Sequence, residues 1–161
     1  MEVKITNKLA VILTVLSSKL LWAILLFVVS IIVVALTLPD KYSSLDSILA
    51  WFKAAAIPLI FLLYHALNAY VYSNKTKLQL KESSIDLHSG NIFTNNSFSF
   101  TFPQIGSVNI VQSFWQKIFS ICQINILQEG GLATRVWGFS MNDAQSFVSE
   151  FSKNFKVKIA K

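Results

Sequence analysis

Two long runs of apolar residues fill most of the first half of the chain. Residues 20–38 contain no ionisable side chain, and a helix of this length, rising about 1.5 Å per residue, spans a hydrocarbon core of about 30 Å. A second apolar run covers residues 54–72, after a polar turn predicted at residues 39–47. Because the connection is so short, the two helices must be antiparallel. The pattern therefore predicts a transmembrane hairpin at residues 20–72, with both chain ends on the same side of the membrane.

The residues before this hairpin repeat apolar side chains at helical spacing: Ile5, Leu9, Ile12, Leu13 and Leu16. One interpretation is a signal peptide, but its apolar region would be short, and no small-x-small cleavage site follows it cleanly. The other interpretation, which we favour, is an interfacial lead helix over residues 1–19 that continues into the first span.

Lysines are concentrated outside the hairpin, before the first span and after the second: Lys4, Lys8, Lys19, Lys75, Lys77 and Lys81. In the connecting loop, by contrast, Lys41 and Lys53 are balanced by two aspartates. Because segments rich in Lys and Arg stay on the cytoplasmic side, both termini are predicted to be cytoplasmic. Residues 73–161 would then form a cytoplasmic domain.

The second span contains two polar side chains, His65 and Asn68, which are three residues apart and so share one helix face. Polar groups inside a membrane are costly and often functional, which makes this pair a candidate intramembrane polar site. The alternative is that they form interhelical hydrogen bonds or contact headgroups. A proton path or an ion site would need carboxylates, and neither apolar run contains one.

Beyond the hairpin, apolar and polar residues alternate, which is the period of a half-buried strand. Strands are predicted at residues 77–81, 84–88, 97–102, 108–111, 122–127 and 133–139. Phe98, Phe100 and Phe102 are expected on one face, against the last helix or the interior of the sheet. Ser140 and Asp143 form a capping box ahead of an amphipathic helix. The fold class is therefore α+β, with antiparallel strands followed by one C-terminal helix.

The order of these elements and several short motifs resemble the bacterial membrane-anchored PH-like family, the YdbS-like group. The matching segments cover most of residues 77–151: 78–80, 85–90, 102–105, 108–113, 115–121, 130–131 and 138–139. The chain departs from the usual family pattern with Phe102 in place of Ile, Lys117 in place of Arg and Ser120 in place of Gly. The last departure is harmless only if position 120 does not need a positive φ.

The resemblance implies a PH-like antiparallel β-barrel or sandwich capped by a C-terminal helix, on the cytoplasmic face of the bacterial inner membrane. It also implies a binding or scaffolding role without catalytic residues. Specific phosphoinositide binding is not expected, because PH domains that recognise these headgroups use a cluster of Lys and Arg around the first hairpin. Here Lys81 is followed by Glu82, and the next strand offers only His88.

The resemblance also bears on residues 114–119, which have the pattern of one short helical turn crowded with large apolar side chains. Trp115, Ile118 and Phe119 match apolar family positions and are expected to point inward, whereas Phe114 matches a surface position. Phe114, with part of Trp115 and with Lys117, is therefore a candidate contact for a partner protein or for lipid headgroups. The alternative is that Trp115 and Phe119 only plug one end of the barrel.

Composition and motif content narrow the functional classes. The net charge of +6 suits an anionic membrane surface, but the charges are scattered and Arg135 is the only arginine, which argues against nucleic acid. Cys122, the only cysteine, excludes an intrachain disulfide and fits a buried position in a strand. The sequence has no glycine-rich phosphate loop and no hydrolase or metalloprotease motif. We therefore expect no enzymatic activity, no cofactor and no metal site.

Two functional classes are compatible with this pattern. The first is a membrane-tethered interaction or scaffolding module, a subunit or accessory factor that holds a partner protein at the inner membrane. The second is a small transport or channel component, in which the hairpins form a homo-oligomer and the PH-like domain acts as a regulatory cap. The absence of carboxylates in the spans favours the first.

Overall fold

A computed structural model describes residues 1–37 and 44–159 of the chain. The helices and strands follow in this order: β1 Glu2–Lys4, α1 Lys8–Thr37, α2 Ser44–Lys75, β2 Lys77–Leu80, β3 Ser84–Gly90, β4 Asn95–Thr101, β5 Ile105–Val111, α3 Phe114–Ile118, β6 Ile121–Gln128, β7 Ala133–Ser140 and α4 Met141–Ile159. A 3-10 turn, Phe102–Gln104, joins β4 to β5. The first part of the turn predicted at residues 39–47 lies outside the described residues, and α2 has already begun at Ser44.

The strands form two antiparallel sheets, as the period of two predicted. One sheet has the order β1-β2-β3-β4 and the other has the order β5-β6-β7. Helix α4 packs against them through Ala144, Phe147 and Phe151, which are buried in the same core as Ile85 and Ile124. The predicted fold class is confirmed: two antiparallel sheets of PH-like topology and a C-terminal helix follow two long apolar helices.

Strand β1 precedes the hairpin in the chain but belongs to the sheet that follows it. It pairs antiparallel with β2, with Val3 opposite Leu78, and the side chains of Val3 and Ile5 are buried. The predicted lead helix over residues 1–19 is therefore corrected: its first residues are a strand, and α1 begins only at Lys8. Alternation over so few residues cannot be distinguished from helical spacing in the sequence. Helix α1 starts where the Asn7 side chain accepts a hydrogen bond from Ala10 N at 3.0 Å.

Helices α1 and α2 pack against each other as a hairpin. They contain 30 and 32 residues, more than the roughly 20 residues that a membrane span needs. Small side chains, Ala23 and Ala54, are buried along them, whereas most of the large apolar side chains are exposed. By length and composition, both helices could cross a membrane.

The sheet domain holds the base of this hairpin by close contacts. Ala10 and Val11 of α1 belong to the hydrophobic core of the domain. Tyr72 of α2 stacks on Trp137 of β7 with ring centroids 4.8 Å apart, and its hydroxyl accepts a hydrogen bond from Trp137 N at 3.3 Å. The hairpin therefore joins the domain through packed side chains as well as through the chain itself.

The three phenylalanines of the β4 region differ in their surroundings. Phe100 and Phe102 are buried, but Phe98 is 50% exposed, and Phe102 lies in the 3-10 turn rather than in β4. Phe102 packs edge-on against Phe151 of α4, with ring centroids 5.5 Å apart. Phe98 stacks on Phe100, with ring centroids 6.3 Å apart, but remains half exposed. The prediction that all three are buried together is therefore wrong for Phe98.

Candidate functional site

Helix α3 is a single turn that two glutamines fix in place. The Gln116 side chain, only 6% exposed, accepts a hydrogen bond from Ser113 N at 2.8 Å. Gln112 donates through Nε2 to Ile121 O of β6, also at 2.8 Å. These bonds satisfy backbone groups at the start of the helix and beside it. The recurrence of glutamine at positions 112 and 116 is the sequence signal that could have indicated this arrangement.

Burial of Gln116 turns the apolar residues of α3 outward. Phe114 is 69% exposed, as expected, and contacts the Trp115 ring edge-on. Trp115 and Ile118 were expected to point inward, but both are exposed, Ile118 by 53%. Only Phe119 packs against the core. The prediction is therefore wrong for Ile118, because the amide of Gln116, rather than an apolar side chain, occupies the inner face of the turn. Trp115, of which a part was expected at the surface, is 38% exposed.

Ser120, which follows α3, has a φ of +55°. This is the left-handed region, which a residue with a Cβ adopts at a free-energy cost and glycine adopts freely. The replacement of the family's usual Gly by Ser at position 120 is therefore not harmless, because this position does need a positive φ.

Two chain segments flank the base of the hairpin. Helix α3 contacts α1, whose residues Ala10, Val11 and Thr14 are buried. On the other side, the turn between β3 and β4 lies against α2, because Asn68 Oδ1 accepts a hydrogen bond from Ile92 N at 3.2 Å. Both segments therefore lie at the end of the domain from which the hairpin emerges.

The turn between β3 and β4 is built to approach α2 closely. Asn91 Oδ1 accepts hydrogen bonds from the backbone N–H groups of Phe93 and Thr94, both at 2.8 Å, and Lys75 Nζ donates to Asn91 O at 3.0 Å. A Cβ on Gly90 would come within 2.6 Å of the backbone oxygen of Thr94 in the same turn, so the turn requires glycine at this position. The turn carries Phe93, which is 78% exposed and which the sequence analysis did not single out.

His65 and Asn68 do not act on a common group. Asn68 supports the turn between β3 and β4, whereas the His65 ring contacts Phe61 and Tyr64 at centroid distances of 4.5 and 5.3 Å. The role of Asn68 is therefore to connect the hairpin to the domain. An ion or proton site formed jointly by the two residues has no support in these contacts.

Two titratable groups of the domain, Asp86 and Cys122, make structural contacts that shift their pKa values. Asp86 forms an ion pair with Lys81 at 2.5 Å and accepts a hydrogen bond from Ser99 at 2.6 Å. The ammonium group and the hydroxyl lower the pKa of this carboxyl below its ordinary value. Burial raises the pKa of the Cys122 thiol to about 11, with a smaller contribution from Asp143. Among residues 1–37 and 44–159, no three His, Cys, Asp or Glu side chains are grouped so that they could hold a metal ion.

Cavities along the hairpin are apolar. One of about 600 Å³ lies between the two helices and is lined by Leu16, Ser17, Leu20, Leu59, Leu62, Leu63 and Ala66. Such a lining offers a charged ligand little to bind. The surfaces with distinctive chemistry are therefore the exposed aromatic residues of α3 and of the turn between β3 and β4.

The family model for the bacterial PH domain matches residues 9–154 of the chain. No curated protein and no solved structure matched in the same comparisons.

Proposed function

Because the chain belongs to the bacterial PH domain family, a family of non-catalytic interaction folds, we propose that it is a membrane-tethered interaction module. In this proposal it holds a partner protein at the membrane as a subunit or accessory factor. The observation that carries it is the pairing of β1 with β2 across the hairpin. A domain attached to both ends of the hairpin has a fixed orientation relative to the hairpin, so it always presents the same surface to a partner. A domain on a flexible tether would not.

The membrane assignment rests on the two helices. Their length, their apolar composition and the exposure of their side chains suit a lipid environment. The lysines at the hairpin base favour a bacterial inner-membrane protein with both termini in the cytoplasm. A membrane-anchored protein of this kind also fits the YdbS-like group that the motifs resemble.

Strand β4 offers the partner a place to bind. It is the edge of its sheet, and its backbone continues without a bulge from Asn95 to Thr101. Edge strands are usually protected by charge, proline or a bulge, and β4 contains no charged residue or proline. An extended segment of a partner could therefore add to this edge by backbone hydrogen bonds, with Phe98 as the adjoining apolar contact.

The test is purification of the full chain from native membranes in mild detergent, followed by mass spectrometry and determination of the stoichiometry. We expect a stoichiometric partner with the wild-type chain and its loss with Phe98→Lys, which places a charge beside the edge. The matched control is Leu132→Lys, which changes another exposed apolar residue, in the turn between β6 and β7. Equal recovery of the partner with both variants would exclude β4 as the contact.

The same preparation also tests the second functional class. If the chain is recovered only as a homo-oligomer that conducts ions in a planar bilayer, the scaffolding proposal is wrong and the channel proposal replaces it.

A further inference from the structure

We propose that the end of the domain from which the hairpin emerges rests on the bilayer and inserts aromatic side chains into the headgroup layer. This surface, called the root face below, consists of the turn at residues 91–94, the end of β5 at Val111, and α3. The inference deepens the proposed function and depends on it, because it requires the hairpin to cross a membrane.

Exposed large apolar side chains are concentrated on the root face. Among the described residues that follow the hairpin, they are Phe93, Val111, Phe114, Trp115 and Ile118 on the root face, and Phe98 and Leu132 elsewhere. Scattered single apolar residues are ordinary on a soluble surface, but a cluster marks a contact. The root face is therefore the apolar side of the domain.

The depth of the turn along α2 points to lipid as the contact. Ile92 N binds Asn68, which lies within the apolar run of residues 54–72 rather than beyond its end. Phe93 is the next residue and is exposed. Its ring is therefore level with the last turn of the predicted span, at the boundary between hydrocarbon and headgroups.

The α3 side of the root face lies beside α1, outside the unbroken apolar run of that helix. The part of α1 that the domain buries ends near Thr14. Thr14 precedes the unbroken apolar run at Leu20 by six residues, or about 9 Å of helix. The headgroup layer on each side of a bilayer is about 5–8 Å thick, so this part of α1 lies at the outer edge of that layer, and we expect the apolar side chains of α3 to extend into it.

Lysines accompany these apolar residues. Lys75 is bonded to the turn through Asn91 O, Lys117 lies within α3, and Lys8 lies near the Tyr70 ring, 5.9 Å from its centroid. Basic residues at a membrane surface attract anionic lipid. Aromatic rings beside lysines are the combination that favours the headgroup zone.

The two parts of the root face flank different helices, the turn beside α2 and α3 beside α1. A single protein partner would have to surround the hairpin to cover both parts. A bilayer crossed by the hairpin surrounds it already, and for this reason we assign the surface to lipid.

The test uses the full chain in phosphatidylcholine vesicles with and without phosphatidylglycerol. An environment-sensitive NBD ring is attached by thiol chemistry to Phe93→Cys and, separately, to Phe114→Cys. Val28→Cys, in the middle of α1, is the control for a membrane span, and Leu132→Cys is the control for a site facing water. Cys122 is fully buried, and the wild-type chain checks that it takes up no label.

We expect lipids carrying a doxyl quencher near the headgroup to quench the labels at 93 and 114, more strongly with phosphatidylglycerol present, and to leave 132 unaffected. The label at 28 should be quenched only by deep doxyl groups. If the label at position 28 is quenched but the labels at 93 and 114 behave like the label at 132, the root-face proposal is wrong and the proposal of a membrane hairpin is kept. If the label at 28 is not quenched either, both proposals are wrong. Labels at 93 and 114 that are shielded from water but not quenched by lipid would mean that protein covers the surface, which also overturns the assignment.

Discussion

At the scale of single residues, Ser120 holds a backbone conformation that glycine would adopt without strain. Its φ is +55°, and for an L-residue this region costs about 1–2 kcal/mol. Ser120→Gly should raise the free energy of unfolding by about 0.5–1 kcal/mol, after allowing for the greater freedom of glycine in the unfolded chain. The measurement is thermal unfolding in detergent, in which the reaction of buried Cys122 with a fluorogenic maleimide reports how much of the protein has unfolded. A lower unfolding temperature for the glycine variant would contradict the argument.

Gly138 is required where α1 meets β7. Its φ is +101°, and a Cβ there would lie 2.9 Å from Val11 Cγ2 and 3.0 Å from Ile5 Cδ1. Gly138→Ala should therefore destabilise the fold by about 2 kcal/mol or more, from backbone strain and overpacking together. Gly130→Ala is the matched control, since a Cβ there meets nothing within 4 Å.

Part of the cost of Gly138→Ala should be recovered when Val11→Ala is added, because the smaller side chain makes room for the new methyl group. If the double variant loses the sum of the two single effects, the steric explanation is wrong.

Asp86 should make the stability of the domain depend on pH in the acid range. The pKa of its carboxyl is lowered in the folded state, first by Lys81 and then by Ser99, so the folded state binds the proton less readily than the unfolded chain. The contribution to stability is therefore full above about pH 5 and is lost as the pH falls through the lowered value. Tryptophan fluorescence during thermal unfolding should show a difference between wild type and Asp86→Asn that shrinks towards acid pH. The variant Lys81→Met should make this difference in stability smaller. A difference between wild type and Asp86→Asn that does not depend on pH would exclude the Asp86 carboxyl as its cause.

At the scale of elements, neighbouring residues of β4 differ sharply in burial. Phe100 is buried, and its truncation to Ala should cost about 3–5 kcal/mol. Ser99 is exposed but donates to Asp86 at 2.6 Å, so Ser99→Ala should cost no more than about 1 kcal/mol. Maleimide reaction of Cys122 during heating measures both. Equal losses would mean that the strand has its faces exchanged.

The sequence predicted the elements whose pattern is local. Period-two runs located strands β2 to β7, and the capping box gave the start of α4, where Asp143 N donates to Ser140 Oγ at 3.1 Å. It could not predict β1, because three residues carry little periodic signal and the partner strand lies about 77 residues away.

The candidate site also combines features that a local pattern predicts with features that depend on contacts between distant residues. The exposure of Phe114 and of part of Trp115 was expected, but that of Ile118 was not, because it depends on the amide of Gln116 occupying the inner face of α3. Phe93 was missed because its importance arises from the contact between Ile92 and Asn68, which no local pattern carries.

At the scale of the whole molecule, the pairing of β1 with β2 brings both ends of the hairpin together, so in the proposed membrane arrangement both ends lie on one side. The lysine distribution predicts that this side is the cytoplasmic one. A reporter fused after Lys161 should therefore read cytoplasmic, and Ser44→Cys should react with an impermeant maleimide from outside intact cells. A periplasmic reporter would contradict the lysine argument, whereas labelling of residues 2 and 44 from the same side would contradict the hairpin itself.

The position of β1 also imposes an order on biosynthesis. The ribosome makes this strand before the two long helices, and its partner β2 emerges only after both helices have been synthesised. Until then Val3 and Ile5, which are buried in the finished protein, have no sheet to join. In the proposed membrane arrangement, completion of the domain therefore depends on insertion of the helices, and a chain whose insertion fails presents an incomplete sheet to cellular proteases. For the same reason, a fragment that starts at residue 73 leaves the edge of β2 bare, so expression of the domain alone should yield an aggregation-prone product.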